Sequence, residues 1–442
     1  MNAPITVVGV TEAGDAALSV RARDALAGAD WVLGGARHFE LLDAALPAVE
    51  RVPWSRPLQD SFARLDARGS QSVVVLASGE PQWHGIATTL IARYGGDAVT
   101  VVPAVGAFSL AAAALSWPLE QTHCRSLHAH DLAMLAVWCY PGARLLLLSD
   151  GADAPREIAA RLRDLKLDAV RLRVFEHLGG PRQASSAWLS PADGIGCYAE
   201  LNLVALDVPD TVQHTAVGAM PGLPDEAFAH DGQLTKRSVR AATLAKLRPL
   251  PGQCLWDLGA GCGSVAIEWV RAALALSPGT PPAGTVLACA VERNPARVGM
   301  LEHNRVALGT PQLAVYASDT ADVIDRLPPP SAIFVGGGLT QWRGDGGTDD
   351  TARALALIAR CIEALPVGGR LVANAVTLAS EAALVAAQAR HGGDLERLMV
   401  STSQAVGRYT ALQPSMAVLQ WCWTRLPAPS ADRAQHDGAR RD

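Results

Sequence analysis

The chain has 442 residues, of which 49% are apolar and 18% charged, so it is long enough for two to four domains with large cores. It carries 38 Lys and Arg against 43 Asp and Glu, and this net charge of −5 offers no basic surface for a nucleic acid. The longest nearly apolar run, residues 104–115, is too short for a membrane helix. We therefore expect a cytoplasmic protein that binds neither nucleic acid nor membrane.

The eight cysteines are scattered along the chain. They form no C-x-x-C pair and have no histidine at the spacing of metal ligands. This pattern is typical of reduced, buried thiols. We expect no metal site.

The first 207 residues alternate short Val/Leu-rich runs with Ala/Leu/Arg segments of helix length. This alternation predicts buried parallel strands joined by crossover helices. The predicted strands are residues 5–10, 72–77, 98–102, 144–148, 170–175 and 201–206. The predicted helices include residues 16–29, 86–94 and 155–165. Residues 208–233 are interrupted by Pro and Gly, so we interpret them as a linker between residues 1–207 and residues 234–424.

A second alternation of helices and strands begins after the linker. A helix is predicted over residues 235–247. It is followed by strands over residues 254–258, 286–291, 313–316, 332–335 and 369–374, and by a closing antiparallel pair over residues 397–400 and 415–423. This order predicts a doubly wound sheet. Residues 425–442 are polar and lack an apolar face, so we expect a disordered tail.

The strongest chemical signal is the segment Asp257-Leu-Gly-Ala260-Gly-Cys-Gly-Ser264, which joins a predicted strand to a predicted helix over residues 265–275. Its glycines, Gly259, Gly261 and Gly263, allow a tight turn and a close approach to a ligand. The next strand ends in Glu292, where a carboxylate can accept hydrogen bonds from ribose hydroxyls. This combination of glycines and acid suits S-adenosylmethionine better than NAD. The NAD-binding fingerprint has a third glycine where Ser264 stands here, and its acid lies about 20 residues further along the chain, which is not the spacing of Glu292.

Polar or glycine-rich segments also follow the later strands of this half. We expect Ser318 and Asp319 to lie near an adenine, and Gly336, Gly337 and Gly338 to face the substrate. Asn374 ends the next strand, so its polar group is expected at the same carboxyl edge.

Two sets of motifs carry a resemblance to known families. The C-terminal motifs are His230-Asp-Gly-Gln-Leu-Thr-Lys-Arg237, the glycine segment, Phe334 to Thr340 and Gly369 to Thr377. They resemble the C-terminal half of the decarboxylating precorrin-6Y C5,15-methyltransferases, a family of cobalamin biosynthesis. The N-terminal motifs are Gly34 to His38, Leu76 to Pro81, Ala107 to Ala111, Trp117 to Leu119 and Ser126 to His128. They are similar to the tetrapyrrole methylases.

The resemblance implies a two-lobed tetrapyrrole methylase fold followed by a Rossmann-like class I methyltransferase domain, both of class α/β. It implies methylation of precorrin-6Y at C5 by the first domain, and methylation at C15 with loss of the C12 acetate carboxyl by the second, giving precorrin-8. S-adenosylmethionine is the implied methyl donor and a tetrapyrrole the partner. We expect a homo-oligomer. Methyl transfer needs no protein nucleophile, so positioning is expected to supply most of the acceleration.

The resemblance also implies site residues by their place in the motifs. The cofactor candidates of the N-terminal half are Gly9, Ser78, Gly79, Glu80 and Ser126, and Thr235 joins those of the C-terminal half. Glu80 stands where the family usually has Asp. Basic groups are expected around the carboxylates of the substrate. The candidates are Arg37, His38, Lys236 and Arg237, with Arg182 and Arg240 beside them.

Two alternatives remain open from the sequence. In the first, both halves are catalytic. In the second, only the C-terminal half methylates, and the N-terminal half is a scaffold or a substrate-channelling domain. The first loop, Gly9 to Gly14, lacks the glycine-rich G-x-G-like turn that the family pattern has. This departure and Glu80 favour keeping the second hypothesis.

Overall fold

The structure is a computed structural model that describes residues 3–46, 49–128, 130–212, 220–277, 279, 281–282, 284–337, 339 and 349–427. The chain divides into two compact units. Unit 1 comprises Met1–His130 and Pro141–Val212, and unit 2 comprises Asp131–Tyr140 and Gln213–Asp442. Within the described ranges, no helix is long and apolar enough to cross a membrane. Part of the predicted linker and most of the predicted tail lie outside the described residues, so both boundaries stay predictions.

The first sheet of unit 1 is entirely parallel. Its elements are β1 (Ile5–Val10), α1 (Val20–Ala27), β2 (Trp31–Gly34), α2 (Ala36–Leu41), β3 (Glu50–Pro53), α3 (Leu58–Asp66), β4 (Val73–Ser78), α4 (Ile86–Tyr94) and β5 (Val99–Val102), with strand order β3-β2-β4-β1-β5. Alternate β1 side chains enter two different cores: Ile5 packs in one and Val8 in the other. Burial on both faces explains why the strand is apolar except for Thr6.

The second sheet of unit 1 is mixed. Its elements are α5 (Ala107–Leu115), β6 (His123–Ser126), β7 (Arg144–Leu148), α7 (Ala154–Asp164), β8 (Arg171–Glu176), β9 (Ala184–Ser185) and β10 (Asn202–Asp207), in strand order β6-β7-β10-β8-β9. The short helix α6 (Leu135–Trp138) precedes β7 and belongs to unit 2.

The sequence prediction of parallel strands holds in this second sheet only for the pair β6 and β7 and is wrong for the rest. Strand β10 pairs antiparallel with both β7 and β8. Parallel neighbours need a long crossover, usually a helix, and the described residues between β9 and β10 contain none. The prediction also missed β2 and β3, which are only four residues long, and β3 lies at a sheet edge with Glu50 and Arg51 exposed.

Unit 2 contains the predicted doubly wound sheet. Its elements are α8 (Arg237–Leu247), β11 (Leu255–Leu258), α9 (Ser264–Leu276), β12 (Ala288–Glu292), α10 (Pro295–Ala307), β13 (Leu313–Ala317), α11 (Thr320–Val323), β14 (Ala332–Val335), α12 (Asp350–Ala364), β15 (Arg370–Ala375), α13 (Leu378–His391), β16 (Asp394–Leu398), β17 (Ser401–Val406), β18 (Tyr409–Pro414) and β19 (Val418–Thr424). The strand order is β13-β12-β11-β14-β15-β19-β16, and strands β11 to β15 are parallel.

The predicted closing pair is confirmed as β16 against β19, which run antiparallel. Between them the chain forms a separate two-stranded hairpin, β17 and β18, which the sequence analysis did not predict. Every residue of this hairpin is exposed.

The sheet of unit 2 has its switch point between β11 and β14. From β11 the chain proceeds outward to β12 and β13, then returns to β14 on the other side of β11. In such sheets a crevice opens at the carboxyl ends of the strands at this point. The glycine segment follows β11 there.

Candidate functional site

The glycine segment of unit 2 turns through left-handed backbone conformations. Gly259, Gly261 and Gly263 have φ values of 75°, 59° and 82°, and helix α9 begins directly afterwards. Only glycine adopts such angles at little cost. The amide of Gly261 donates to Oε2 of Glu292 at 2.9 Å, so the acid at the end of β12 holds the loop in place.

Glu292 is buried and uses both oxygens. Its Oε1 accepts from the amide of Asn294 at 2.8 Å, while Oε2 accepts from Gly261. Each carboxylate oxygen has a second lone pair, so the group keeps acceptor capacity for a ligand.

Asp257 lies at 1% exposure on β11. Its Oδ2 accepts from the amide of Ala266, whereas Oδ1 is buried without a hydrogen-bond partner among the described residues. Burial, and secondarily the charge of Glu292, raise the pKa of Asp257 to about 7.

Gly259 and Glu292 border a cavity of about 310 Å³ in unit 2. Five of the predicted site residues line it: Gly259, Glu292, Ser318, Asp319 and Gly337. Gln233, Arg293, Asn294, Arg297 and Thr320 complete its polar wall. Asp319 also caps helix α11 by accepting from the amide of Ala321.

The other predicted residues of unit 2 do not line this cavity. They are Thr235, Lys236, Arg237, Asp257, Ala260, Gly261, Gly263, Gly336 and Asn374, while Gly338 lies outside the described residues. The amide of Asn374 is used internally, because it donates to Thr243 and accepts from Gln420. Its assignment to the substrate stays a prediction.

The basic residues at the start of α8 behave differently from one another. Arg240 is fully buried and bonds Glu268 and Asp225, so the expectation that it faces the substrate is wrong. A buried guanidinium needs such partners because burial of an unpaired charge is costly. Lys236 is exposed and lies 3.8 Å from Asp225. Thr235 does not cap the helix, whose N-cap is Lys236.

Residues 229–235, here called the strap, are linked to the glycine segment through a side chain of α10 that sequence reasoning missed. Asn304, at 1% exposure on α10, donates to the carbonyl oxygens of Ala229 and Cys262 and accepts from the amide of Ala229. Arg297 holds Asp231 and Gln233 of the same strap. A lone Asn within a helical pattern carries no signal that would have identified it.

Unit 1 contains a larger cavity of about 1040 Å³ at the carboxyl ends of β1 and β4. The predicted residues Arg37, His38, Ser78, Gly79 and Glu80 line it. Gly9 and Ser126 do not. Gly9 packs tightly against the neighbouring backbone, since an added Cβ would lie 2.8 Å from the backbone nitrogen of Ala104. Ser126 is buried and its Oγ accepts from the amide of His128.

Five side chains at one end of this cavity form a hydrogen-bonded cluster. Arg37 donates to Oε1 of Glu12 at 2.8 Å and to Oγ of Ser78 at 2.9 Å, and Nε2 of His38 lies 2.9 Å from the same Oγ. Glu12 is buried and its Oε2 also contacts Nδ1 of His177 at 2.9 Å. Sequence reasoning missed Glu12 and His177, because neither lies in a motif quoted for the family.

The fold and these two cavities define a chain with two different methyltransferase-type units. Residues 4–189 match the family described as Tetrapyrrole (Corrin/Porphyrin) Methylases, and residues 226–425 match the Precorrin methyltransferase domain.

Comparison with individual relatives identifies one family within this class of methyltransferases. A relative from Sinorhizobium sp, named Precorrin-6Y C(5,15)-methyltransferase [decarboxylating], is 37% identical over 421 residues, 95% of this chain and 96% of the relative. The chain belongs to the family of decarboxylating precorrin-6Y C(5,15)-methyltransferases.

Two shorter relatives each span less than half of the chain. A Probable cobalt-precorrin-6B C(15)-methyltransferase (decarboxylating) from Pyrobaculum aerophilum is 29% identical and covers 44% of this chain and 92% of itself. A Cobalt-precorrin-7 C(5)-methyltransferase from Salmonella typhimurium is 29% identical and covers 46% of this chain and 98% of itself.

Proposed function

We propose that the chain methylates precorrin-6Y at C5 and C15 and removes carbon dioxide from the C12 acetate, giving precorrin-8. The observation that carries this proposal is that each unit contains its own cavity, while one relative named for both methylations spans nearly the whole chain. Proteins named for a single methylation span under half of it. We assign C5 to unit 1, and C15 with the decarboxylation to unit 2.

S-adenosylmethionine is the methyl donor of this proposal, and its sulfonium supplies an electrophilic methyl group to an electron-rich ring carbon. The residues of unit 2 fit its chemistry. Glu292 offers free lone pairs to ribose hydroxyls, and the glycine segment leaves room for a close approach.

Positioning is the main contribution of the protein in both units. Holding the methyl donor and the ring carbon in line replaces a bimolecular encounter by a reaction within one complex. This positioning can lower the free-energy barrier by about 7 to 11 kcal/mol. The strap held by Asn304 and Arg297 fixes Gln233 in the wall of the smaller cavity. The cavity of unit 1, at about 1040 Å³, is at the upper end of the sizes of ligand sites, about 300 to 1,000 Å³, as a tetrapyrrole requires.

The formed cavity of unit 1 does not favour the alternative in which the N-terminal half is only a scaffold. Glu80, which replaces the usual Asp, lines the cavity and accepts from the amide of Gln82. The longer side chain is therefore accommodated within its own loop.

Product analysis tests this proposal. The full chain is incubated with S-adenosylmethionine and precorrin-6Y, and the product is examined by mass spectrometry and NMR. We expect two added methyl groups, at C5 and C15, and the loss of one carboxyl group. A product with a single methyl group would restore the scaffold alternative.

We also propose that the chain forms a homo-oligomer through the hairpin of β17 and β18. Exposed apolar side chains lie on or next to it: Met399, Val406, Tyr409, Leu412 and Met416. A two-stranded sheet exposed on both faces is marginally stable in water, and its free edges invite pairing. Light scattering of the wild type and of Leu412→Asp tests this: we expect an oligomer and a smaller species, respectively. A monomeric wild type would contradict it.

A further inference from the structure

Residues 131–140, here called the docking segment, precede β7 in the chain but belong to unit 2. The segment consists of Asp131 followed by residues 132–140, all of which are apolar or aromatic. A run of this composition needs a cover, because soluble proteins rarely expose a contiguous apolar patch. Residues 133–136, 138 and 139 are indeed buried.

The docking segment has little secondary structure of its own. It forms a 3-10 turn, Leu132–Met134, and the four-residue helix α6. A helix this short is not stable in water by itself, since nucleation costs more than one turn of hydrogen bonds returns. The conformation of the segment therefore depends on the surface against which it packs.

That surface includes the turn between α10 and β13, residues 308–312. A Cβ added at Gly309 would lie 2.6 Å from the carbonyl oxygen of Ala133. It would also lie 3.1 Å from Cβ of Ala136 and from Cγ2 of Val137. Because only a glycine leaves room for such an approach, the backbone of the docking segment lies directly against this turn.

Gln312, further along the turn, adds a polar contact. Its Nε2 donates to Sδ of Met134 at 3.3 Å, and Met134 is buried. A thioether sulfur is a weak acceptor, so this bond contributes direction more than strength. Leu308 and Thr310 of the turn are buried as well. Both sides of the contact are thus closed to water.

We propose that the turn of residues 308–312 is a binding surface for an apolar helical segment, and that its occupant is the docking segment of the same chain. A chain cut within residues 213–219 stays a single complex, since the first piece carries the docking segment and the second piece carries the turn. This inference goes beyond the proposed function, because it holds whichever tetrapyrrole carbon each unit methylates.

Cleavage of the intact protein tests this inference. A protease recognition site is placed within residues 213–219, and the folded full-length protein is cut there. The dissociation constant of the two pieces is then measured by analytical ultracentrifugation over a range of concentrations. We expect the two pieces of the otherwise wild-type chain to sediment as one complex at micromolar concentration.

Two glycines of unit 2 provide a matched pair of variants. Gly309 and Gly252 both have a φ of 74°, but a Cβ added at Gly252 meets no described atom within 4 Å. Gly309→Ala and Gly252→Ala therefore carry a similar backbone strain and differ in the overlap with the docking segment. Overpacking should raise the dissociation constant of Gly309→Ala roughly tenfold to hundredfold above that of Gly252→Ala.

Ala136→Leu produces the overlap from the other side, so the test does not depend on the folding of Gly309→Ala. Ala136 is 5% exposed and its Cβ faces Gly309, so we expect a similar rise in the dissociation constant. In the uncut chain, hydrogen–deuterium exchange of residues 131–140 should be faster in both of these variants than in the wild type and Gly252→Ala, because the short helix loses its cover.

Separation of the cut wild-type chain into its two pieces at micromolar concentration would overturn the proposal. Equal dissociation constants for Gly309→Ala and Gly252→Ala would do the same, because the turn would then not be the surface that holds the segment. Either result leaves the proposed function standing, since product analysis of the uncut chain tests that function separately.

Discussion

The two cavities of this chain are built by different means. In unit 2 the backbone makes the site: three glycines with positive φ turn around the end of β11, and Glu292 holds the amide of Gly261. In unit 1 side chains make it: Glu12, Arg37 and Ser78 form a chain of hydrogen bonds across strand ends and a helix start. A backbone-built site depends on which residues are glycine, whereas a side-chain-built site depends on charge and hydrogen-bond direction.

The largest effect is expected at a glycine of unit 1. In Gly9→Ala the new Cβ would overlap the carbonyl oxygen of Gly79 and lie 2.8 Å from the nitrogen of Ala104, and neither backbone atom can move easily. We expect a destabilisation of about 3 kcal/mol and loss of C5 methylation by about a hundredfold or more. Gly96→Ala has open space and ordinary φ and is the control. Normal C5 methylation by Gly9→Ala would contradict the packing described here.

Gly261→Val is the corresponding change in unit 2, and its cost has a different origin. The nearest atom to an added Cβ is the carbonyl oxygen of Gln233, at 3.6 Å, so space is adequate. The φ of 59° costs a branched residue about 2 kcal/mol or more, so the loop that carries Gly259 of the cavity wall is expected to change its conformation. We expect C15 methylation to fall about thirtyfold or more, with C5 methylation retained. Gly299→Ala is the control, and equal loss at both carbons would show that the units do not act separately.

Glu292→Gln tests the tie between the strand end and the loop. The side-chain amide of the new glutamine can accept hydrogen bonds only at its oxygen. Its NH₂ group would face a backbone N–H donor, either that of Gly261 or that of Asn294. We expect affinity for S-adenosylhomocysteine at unit 2 to fall about tenfold, about 1.4 kcal/mol. Glu302→Gln on α10 removes an exposed carboxylate and should leave affinity unchanged. Normal affinity in Glu292→Gln would remove this carboxylate from the cofactor site.

The last prediction concerns the pH dependence of stability and not catalytic activity. Because the pKa of Asp257 is raised to about 7, the folded protein keeps a proton that the unfolded chain releases near pH 4. Its contribution to stability is therefore present below pH 4 and is lost as the pH rises towards 7. The melting temperature of the wild type relative to Asp257→Asn should fall between pH 5 and pH 8. A constant difference would show that Asp257 is ionised in the folded protein.

The difference between a site built by the backbone and a site built by side chains also decides how much of each region the sequence predicts. The doubly wound sheet and the glycine segment were predictable, because buried parallel strands are continuous apolar runs and a backbone turn leaves glycines at fixed spacing. The antiparallel pairing of β10 was not, since an apolar strand has the same composition in either direction.

The side-chain cluster of unit 1 and the buried ion pair of Arg240 show what the sequence could not predict. Arg37, His38 and Ser78 were expected in a site from their motifs, but their link through Glu12 depends on where separate strands end in space. Arg240 was expected at the substrate because basic groups are needed around the carboxylates of the tetrapyrrole. Its partners Glu268 and Asp225 are distant along the chain, so no local pattern indicates its burial.

The number of cofactor sites tests the central claim most directly. Titration of the full-length protein with S-adenosylhomocysteine in a calorimeter should show two sites per chain. Gly9→Ala should retain only the site of unit 2, and Gly261→Val only the site of unit 1. A single site per chain in the wild type, abolished by Gly261→Val, would contradict the account that both units are methyltransferases.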